Sequence, residues 1–416
     1  MDENTTSIFS FVPADRYEMP AEPKTEAARS GLKALWKRFQ RSQPQPETIN
    51  IHAELHSISQ QILDRVSPPP DWKEMQAALS AALQGWLASE HPEHAVQVVI
   101  GPPGSGVRQV LESIAEEFGW HVIDSPAPEE VLKNGRKWLE KLRGVHRNDC
   151  VMPVLEDFYL RHHNGLDLLR ELVKYLKESP RKCLIGCNSW AWAYLSRTIR
   201  IDSFLPAPLA LQALNATALQ QWFRSLASVP VNCCLVFRQS DNGAEIISLA
   251  EKMPDAKAET RTGQQGNDTK DEPEILKRIS ARSRGIPLVA WAVWRNSLQI
   301  AGDETVDIDV QKAAAEDRGV TIWVKPWGSI ELPDIPQGIV RSETIILHTI
   351  LLHAGLPEES ILRMLAFPAD ELARGLTHLA AHGLIKREKG IWRVSLSGYP
   401  AVRQHLYNEG YLVDAF

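Results

Sequence analysis

No apolar run in this sequence approaches the roughly 18 residues that a membrane-spanning helix requires, and no secretory leader pattern opens it. Cysteine is scarce. The five residues Cys150, Cys183, Cys187, Cys233 and Cys234 are odd in number and show no metal-ligand spacing, so no metal site is expected. Three of them sit in apolar runs and read as small buried hydrophobes of a reducing compartment. Basic excess is absent too: a net charge of −6 argues against a general appetite for nucleic acid, while leaving a local basic face open. A cytoplasmic protein, with peripheral membrane contact left open, is expected. What the chain does have is ordinary globular material, 44% hydrophobic and 24% charged over 416 residues, which predicts two or three domains.

The stretch that organises the rest is AVQVVIGPPGSGVRQ at 95–109, an apolar run that breaks into a glycine-rich loop and feeds an amphipathic pattern. It predicts strand, phosphate-type loop and helix. Gly101, Gly104 and Gly106, with Ser105 between them, allow successive backbone N–H groups to turn inward as an anion nest at a helix N-terminus. The spacing is that of the GxxxxGK[ST] motif. Where that motif places Lys, which reaches the β/γ-phosphates, and Ser or Thr, which holds Mg²⁺, this chain has Val107 and Arg108.

From 96 onward, short apolar runs alternate with helical patterns, as βαβ units with a parallel sheet require. Strands are expected at 96–100, 120–123, 150–155, 182–187 and 203–209, and helices at 107–118, 128–143 and 164–178. The third strand runs into Glu156 and Asp157, and the fourth ends in Asn188. Carboxylates and an amide at strand C-termini fall where open α/β sheets bind ligands. For Asn188 a second reading is a cap on the helix that starts at Ser189. Before this core, 1–24 reads as a disordered or loosely attached tail. Residues 25–42 carry Leu32, Leu35, Trp36 and Phe39 on one face with five cations around them, a basic amphipathic helix. It would pack on its own domain, or dock on an acidic partner or an anionic membrane. Residues 43–47 read as a linker, and 51–66 and 71–89 as helical patterns.

After the core, 210–227 is helical and 229–237 strand-like, 252–273 reads as a mobile charged loop, and 274–298 is a helix pair broken at Arg284-Gly285-Ile286-Pro287. From 340 the pattern changes to helices at 342–354, 357–365 and 369–383, strands at 384–386 and 391–394 with a turn at Lys389-Gly390, and a terminal helix that packs back. Three helices and a hairpin predict a winged helix. Its third helix opens with Asp370 and Glu371 and carries Arg374. The hairpin carries Lys386, Arg387, Lys389 and Arg393.

With these motifs in this order, the sequence resembles the AAA+ and STAND branches of the P-loop NTPases, with a degenerate Walker A loop. The resemblance implies a parallel-sheet core with a helical lead-in over 49–209, a lid over 210–330 and a winged-helix domain over 340–416. Residues 1–48 stand apart as tail and appendage. It also implies that the lead-in approaches an adenine, that Glu156 and Asp157 form a Walker B pair with the acids exchanged, and that Asn188 stands at the sensor 1 position. Arg284 would approach phosphate from the lid, and Pro287 would mark the GxP turn. ATP or ADP, bound weakly or without Mg²⁺, would be the ligand, and hydrolysis is not expected. The expected role is regulatory or scaffolding, with a protein partner. Two alternatives are an ATP-responsive transcription regulator that uses 340–394 on DNA, and an active ATPase in which Arg108 or Arg284 replaces the lost Lys.

Overall fold

The structure, a computed structural model, describes residues 7–21, 55–90, 92–133, 135–145, 148–160, 165–227, 235–249, 272–301 and 320–416. The basic segment 25–42, the linker 43–47 and nearly all of the charged stretch 252–273 lie outside the described residues. In chain order the strands are β1 (Phe11–Pro13), β2 (Leu55–Ser57), β3 (Val96–Gly101), β4 (His121–Val122), β5 (Cys150–Met152), β6 (Cys183–Asn188) and β7 (Leu209–Leu211). They continue as β8 (Leu235–Gln239), β9 (Glu245–Ser248), β10 (Leu298–Ala301), β11 (Val320–Val324), β12 (Leu356–Pro357), β13 (Ile385–Glu388) and β14 (Ile391–Val394).

The main sheet has the order β1-β7-β3-β6-β5-β4. Every pairing in it is parallel except the edge pairing of β1 with β7. Val98, Val99 and Ile100 of β3 and Cys183, Leu184 and Ile185 of β6 are all buried, since helices cover both faces, and this is why these strands read as unbroken apolar runs. The helix Val107–Phe118 lays Val110, Leu111 and Ile114 on one face of the sheet, while Leu166–Glu178 buries Leu168, Leu169 and Leu172 on the other. Because β3 has β6 on one side and β7 on the other, the chain leaves β3 toward one edge and returns on the opposite side. The crevice at its carboxyl end is therefore the topological switch point of the sheet, where ligands bind in open α/β folds.

The C-terminal domain has the expected winged-helix plan. Helices Arg341–Leu352, Glu358–Met364 and Ala369–Ala381 are followed by the β13–β14 hairpin, which turns at Lys389 (φ 50°) and Gly390 (φ 82°). A two-residue turn with both central residues at positive φ is the favoured hairpin connection. A short β12 pairs with β14, completing a three-stranded sheet that the sequence pattern did not reveal. The terminal helix Tyr399–Asn408 packs back on its domain as expected, while the aromatic end departs from expectation: Phe416 reaches the main-sheet core, edge-on to Tyr17 at 4.6 Å between ring centroids.

Several expectations are corrected. Within the 1–24 segment, residues 7–21 are not loose: Phe11–Pro13 is an edge strand of the main sheet, and Phe9 is buried against Trp222. The 51–66 pattern splits into strand β2 and a helix, Gln60–Val66. The fifth strand falls at Leu209–Leu211, since Ile201–Phe204 is a short helix, and the helix expected at 128–143 is two, Pro128–Leu132 and Arg136–Val145. The lid expected over 210–330 contains, besides its helices, most of a second sheet of order β2-β10-β11-β8-β9. Its apolar residues Leu235, Phe237, Ile300, Ile322 and Val324 join those of the lid helices in one core.

The N-terminal edge strand gives the first test. Phe9→Ala should cost about 3–5 kcal/mol, the usual range for removing a buried Phe, read as a lowered urea midpoint by tryptophan fluorescence. An unchanged midpoint would mean that this segment contributes nothing to the core.

Candidate functional site

Gly101 ends β3, and the loop turns through Gly104 (φ 87°) and Gly106 (φ 84°) into the helix Val107–Phe118. Only residues without a Cβ enter this left-handed region without strain. The loop is filled by its own side chains. Ser105 is buried, and its hydroxyl accepts the Val107 N–H at 3.5 Å, one of the helix-terminal donors that would otherwise face an anion. A Cβ on Gly101 would have no room against Ser105 Oγ, and would lie 2.8 Å from Val107 Cγ2. Val107 thus belongs to the core that lies under the loop, at the position where the resembled motif extends an ammonium group. Arg108 points out, and its Nε donates to Glu112 at 2.9 Å along the same helix.

Glu156 and Asp157 do not end a strand, since β5 stops at Met152; they lie on a single helical turn, Leu155–Phe158, beyond Pro153. Burial, reinforced by the neighbouring Asp157, pushes the Glu156 carboxyl up to about 7. Its Oε2 accepts the Asn188 backbone N–H at 3.0 Å. Asp157 accepts the Ser125 hydroxyl at 3.2 Å and is likewise raised by burial. Asn188 caps the helix Ser189–Ile199, accepting the Trp190 N–H at 3.3 Å, and its amide donates to the carbonyl of Leu351 in the winged-helix domain. Both readings of Asn188 placed it at the strand end. The cap is realised, and the other side-chain bond goes to a protein carbonyl.

The winged-helix domain covers this crevice. Tyr159 donates its hydroxyl to the Leu352 carbonyl at 3.1 Å, and His353 Nδ1 donates to the Glu156 carbonyl at 3.3 Å. Between the two domains lies a cavity of about 960 Å³. It is lined by the loop from Gly101 to Gln109, by Glu156 and Asn188, by Leu288 of the lid, and by Lys386, Glu388, Lys389 and Arg393 of the hairpin. The expected loop residues, Glu156 and Asn188 are therefore brought together, with Asp157 beside them on the same turn. The hairpin cations are the members that the sequence reading did not place here. It found them on the wing, but the packing of the wing onto the loop has no local sequence signal.

Two expected members lie elsewhere. Arg284 (φ 56°) caps the helix Glu274–Ser283, and its Nε donates to the Phe416 carbonyl at 2.7 Å; it lines a separate cavity with Trp327 and Arg403. The phosphate contact expected of it is corrected to a bond with the chain terminus. Pro287 is the first residue of the helix Pro287–Ser297, where a missing N–H costs nothing. It positions Leu288, whose N–H donates to the Gly104 carbonyl at 3.0 Å. The lead-in contributes no described residue to the cavity. Its Trp72 (φ 62°) instead presses its ring on Gly106, where an added Cβ would meet it at 2.6 Å.

The donor set does not suit Mg²⁺. The guanidinium of Arg108 replaces a hydroxyl, Glu156 is desolvated and bonded to backbone, and no group of three or more metal-ligating side chains occurs among the described residues.

No family model matches the chain, and no curated protein matches it. Among solved structures, a RuvB variant of Thermotoga maritima is similar over 86% of this chain and 96% of its own, at 16% identity and a TM-score of 0.30. Cdc6p of Pyrobaculum aerophilum is similar over 84% and 99%, at 13% identity and 0.33. The Walker-type ATPase PABY2304 of Pyrococcus abyssi is similar over 82% and 96%, at 14% and 0.31. At these scores the likenesses carry no weight beside the chain's own sheet order and site geometry.

Glu156 makes stability depend on pH. Its folded value is raised above the usual carboxylate value, so its contribution is fully present below about 4.5 and is lost as pH rises through about 7. Charging it in place costs on the order of 3 kcal/mol. Glu156→Gln, which keeps an acceptor for Asn188, should therefore raise the melting temperature at pH 8 and leave it nearly unchanged at pH 4.5. Equal shifts at both would show that Glu156 does not titrate in this window.

Proposed function

We propose that this chain is an AAA+/STAND-like pseudo-ATPase, a regulatory or scaffold module that responds to a phosphate-bearing ligand such as ATP or ADP without hydrolysing it. The observation that carries this reading is the loop interior. It is filled by Ser105 and Val107, while Asn188 and the Glu156 turn are bonded to the winged-helix domain. Phosphoryl transfer is catalysed almost entirely by positioned cations and a positioned nucleophile, so each missing part costs orders of magnitude in rate. Here the ammonium and the metal hydroxyl are absent. The carboxylate that would polarise water is buried, bonded to backbone and half-protonated near pH 7.

The transcription-regulator reading is disfavoured by the third helix of the winged domain. Its only Arg, Arg374, pairs with Asp370 at 3.0 Å, and Asp370 and Glu371 would meet phosphates first if that helix entered a groove. The hairpin faces the loop cavity rather than open solvent alone. A protein partner engaged through movement of the winged-helix domain suits this arrangement better. The basic segment 25–42 would offer such a partner, if acidic, a second contact by charge and apolar stripe together.

Titration of a fluorescent ATP analogue should show binding that Mg²⁺ does not strengthen, and turnover should stay below the roughly 1 s⁻¹ floor of ordinary enzymes. Turnover above that level, abolished by Glu156→Gln, would overturn the reading. Val107→Lys combined with Arg108→Thr should bring Mg²⁺-dependent nucleotide binding but no turnover, because Asn188 and Glu156 stay engaged elsewhere. A hydrolysing double variant would show that the two loop positions alone had blocked the chemistry.

A further inference from the structure

The hairpin of the winged domain presents Lys386, Lys389 and Arg393 to the cavity on the side opposite the glycine loop. Lys386 and Arg393 are directly paired across the antiparallel register, an arrangement of like charges that is unfavourable in a hairpin by itself. Lys386 is partly offset by Glu388 at 2.7 Å. Among the described residues neither Lys389 nor Arg393 closes an ion pair, and Arg393 acts on Asp157 only at longer range. The Arg393 stem is guided by Gly355 (φ 120°), where an added Cβ would lie 2.6 Å from Arg393 Cγ. Arg387 belongs to the other face of the same hairpin, over the Trp392 ring at 5.9 Å, and does not line the cavity. Strand alternation thus sorts the hairpin's charges into a cavity face and an outer face.

Across from these cations, Arg108 adds a fourth, and Gly104 holds the wall through Leu396, whose Cδ2 would be 2.9 Å from a Cβ at that position. A cavity of about 960 Å³ is of the size that holds a small ligand rather than a polymer. Four cations line it, of which Arg108 is paired with Glu112 and Lys386 with Glu388, which leaves Lys389 and Arg393 without an ion pair among the described residues. The acids that share the lining are Glu388, already tied to Lys386, and Glu156, already bonded to Asn188. The net demand of the lining is for an anion of more than one charge.

We infer that the winged-helix hairpin supplies in cis, through Lys389 and Arg393, phosphate-binding cations that the loop has lost, so that a di- or triphosphate bridges hairpin and loop and holds the winged domain on the core. This inference rests on the proposed ligand-responsive reading of the same cavity. It differs from it in locating the binding charge on the wing.

The test is calorimetric titration of the full chain, without Mg²⁺, using inorganic tripolyphosphate in one arm and ADP in the other. Lys389→Asn keeps a residue suited to positive φ before Gly390, and Arg393→Gln keeps the stem against Gly355. Each should weaken tripolyphosphate binding about tenfold, as expected for loss of one charge-assisted bond, with unliganded melting temperatures unchanged. Arg387→Gln, on the outer face, should leave affinity unaltered. Bound ligand should also raise the melting temperature in the wild type, and less so in the two cavity-face variants. Tighter binding of ADP than of tripolyphosphate would identify a nucleotide as the source of the phosphates, and equal binding a free polyphosphate; either supports the site. If Lys389→Asn and Arg393→Gln bind like the wild type, or Arg387→Gln weakens binding as much as they do, the role of the wing is overturned while the ligand-responsive reading stands. If the wild type binds neither probe, both fail together.

Discussion

The arrangement of this molecule depends on how the C-terminal end of one helix is satisfied. Of the last carbonyls of Arg341–Leu352, those of Ile350 and Leu351 accept N–H groups from the turn just beyond the helix, Gly355 at 3.0 Å and Ala354 at 3.3 Å. Those of Leu351 and Leu352 accept from Asn188 and Tyr159 of the core. A buried carbonyl left unpaired costs about 1–3 kcal/mol, and these two donors from the core tie the helix end of the winged domain to it. The same contact commits the Asn188 amide to a carbonyl of the winged-helix domain.

A second fastening ties the chain terminus to the same place. Asp414 is buried and accepts from the Ser189 hydroxyl, from Tyr399 at 3.4 Å and from Arg403 at 3.0 Å. Trp190 donates to the Tyr399 hydroxyl at 3.1 Å. Burial raises the Asp414 carboxyl, and Arg403 acts against that rise. A buried ion pair recovers little net energy over an apolar replacement, but losing one partner leaves an uncompensated charge. Its effect is on specificity, since only one placement of the terminal helix satisfies Asp414 together with Ser189, the first residue after β6.

The core was legible in the sequence because its signals are local. The glycine loop, the continuous apolar strands and the helices between them each follow from a short window, as do the winged-helix elements and the turn at Lys389-Gly390. The misses come from long-range pairing. Residues 11–13 are a short run, and nothing near them says that β7, almost 200 residues later, offers an edge. β2 pairs with β10 from the far half of the chain, and β8 with β11 across several intervening elements, so the second sheet has no local pattern to display. Arg284 was misplaced for a related reason: the turn around it was read correctly, but the Phe416 carbonyl that claims it comes from the far end of the chain. The hairpin cations were found as residues and missed as members of the site.

The glycines that carry the resemblance to a phosphate loop have a second explanation inside this structure. At Gly104 a side chain would strike Leu396 of the winged domain, and at Gly106 it would strike the ring of Trp72. At Gly101 it would strike Ser105 and Val107 of the loop itself. Each glycine is therefore crowded by packing of this structure, Gly104 by the seated winged domain, Gly106 by Trp72 and Gly101 by the loop itself. Of the two positions after the glycines, Val107 packs into the core beneath the loop, whereas Arg108, at the rim of the cavity, pairs with Glu112.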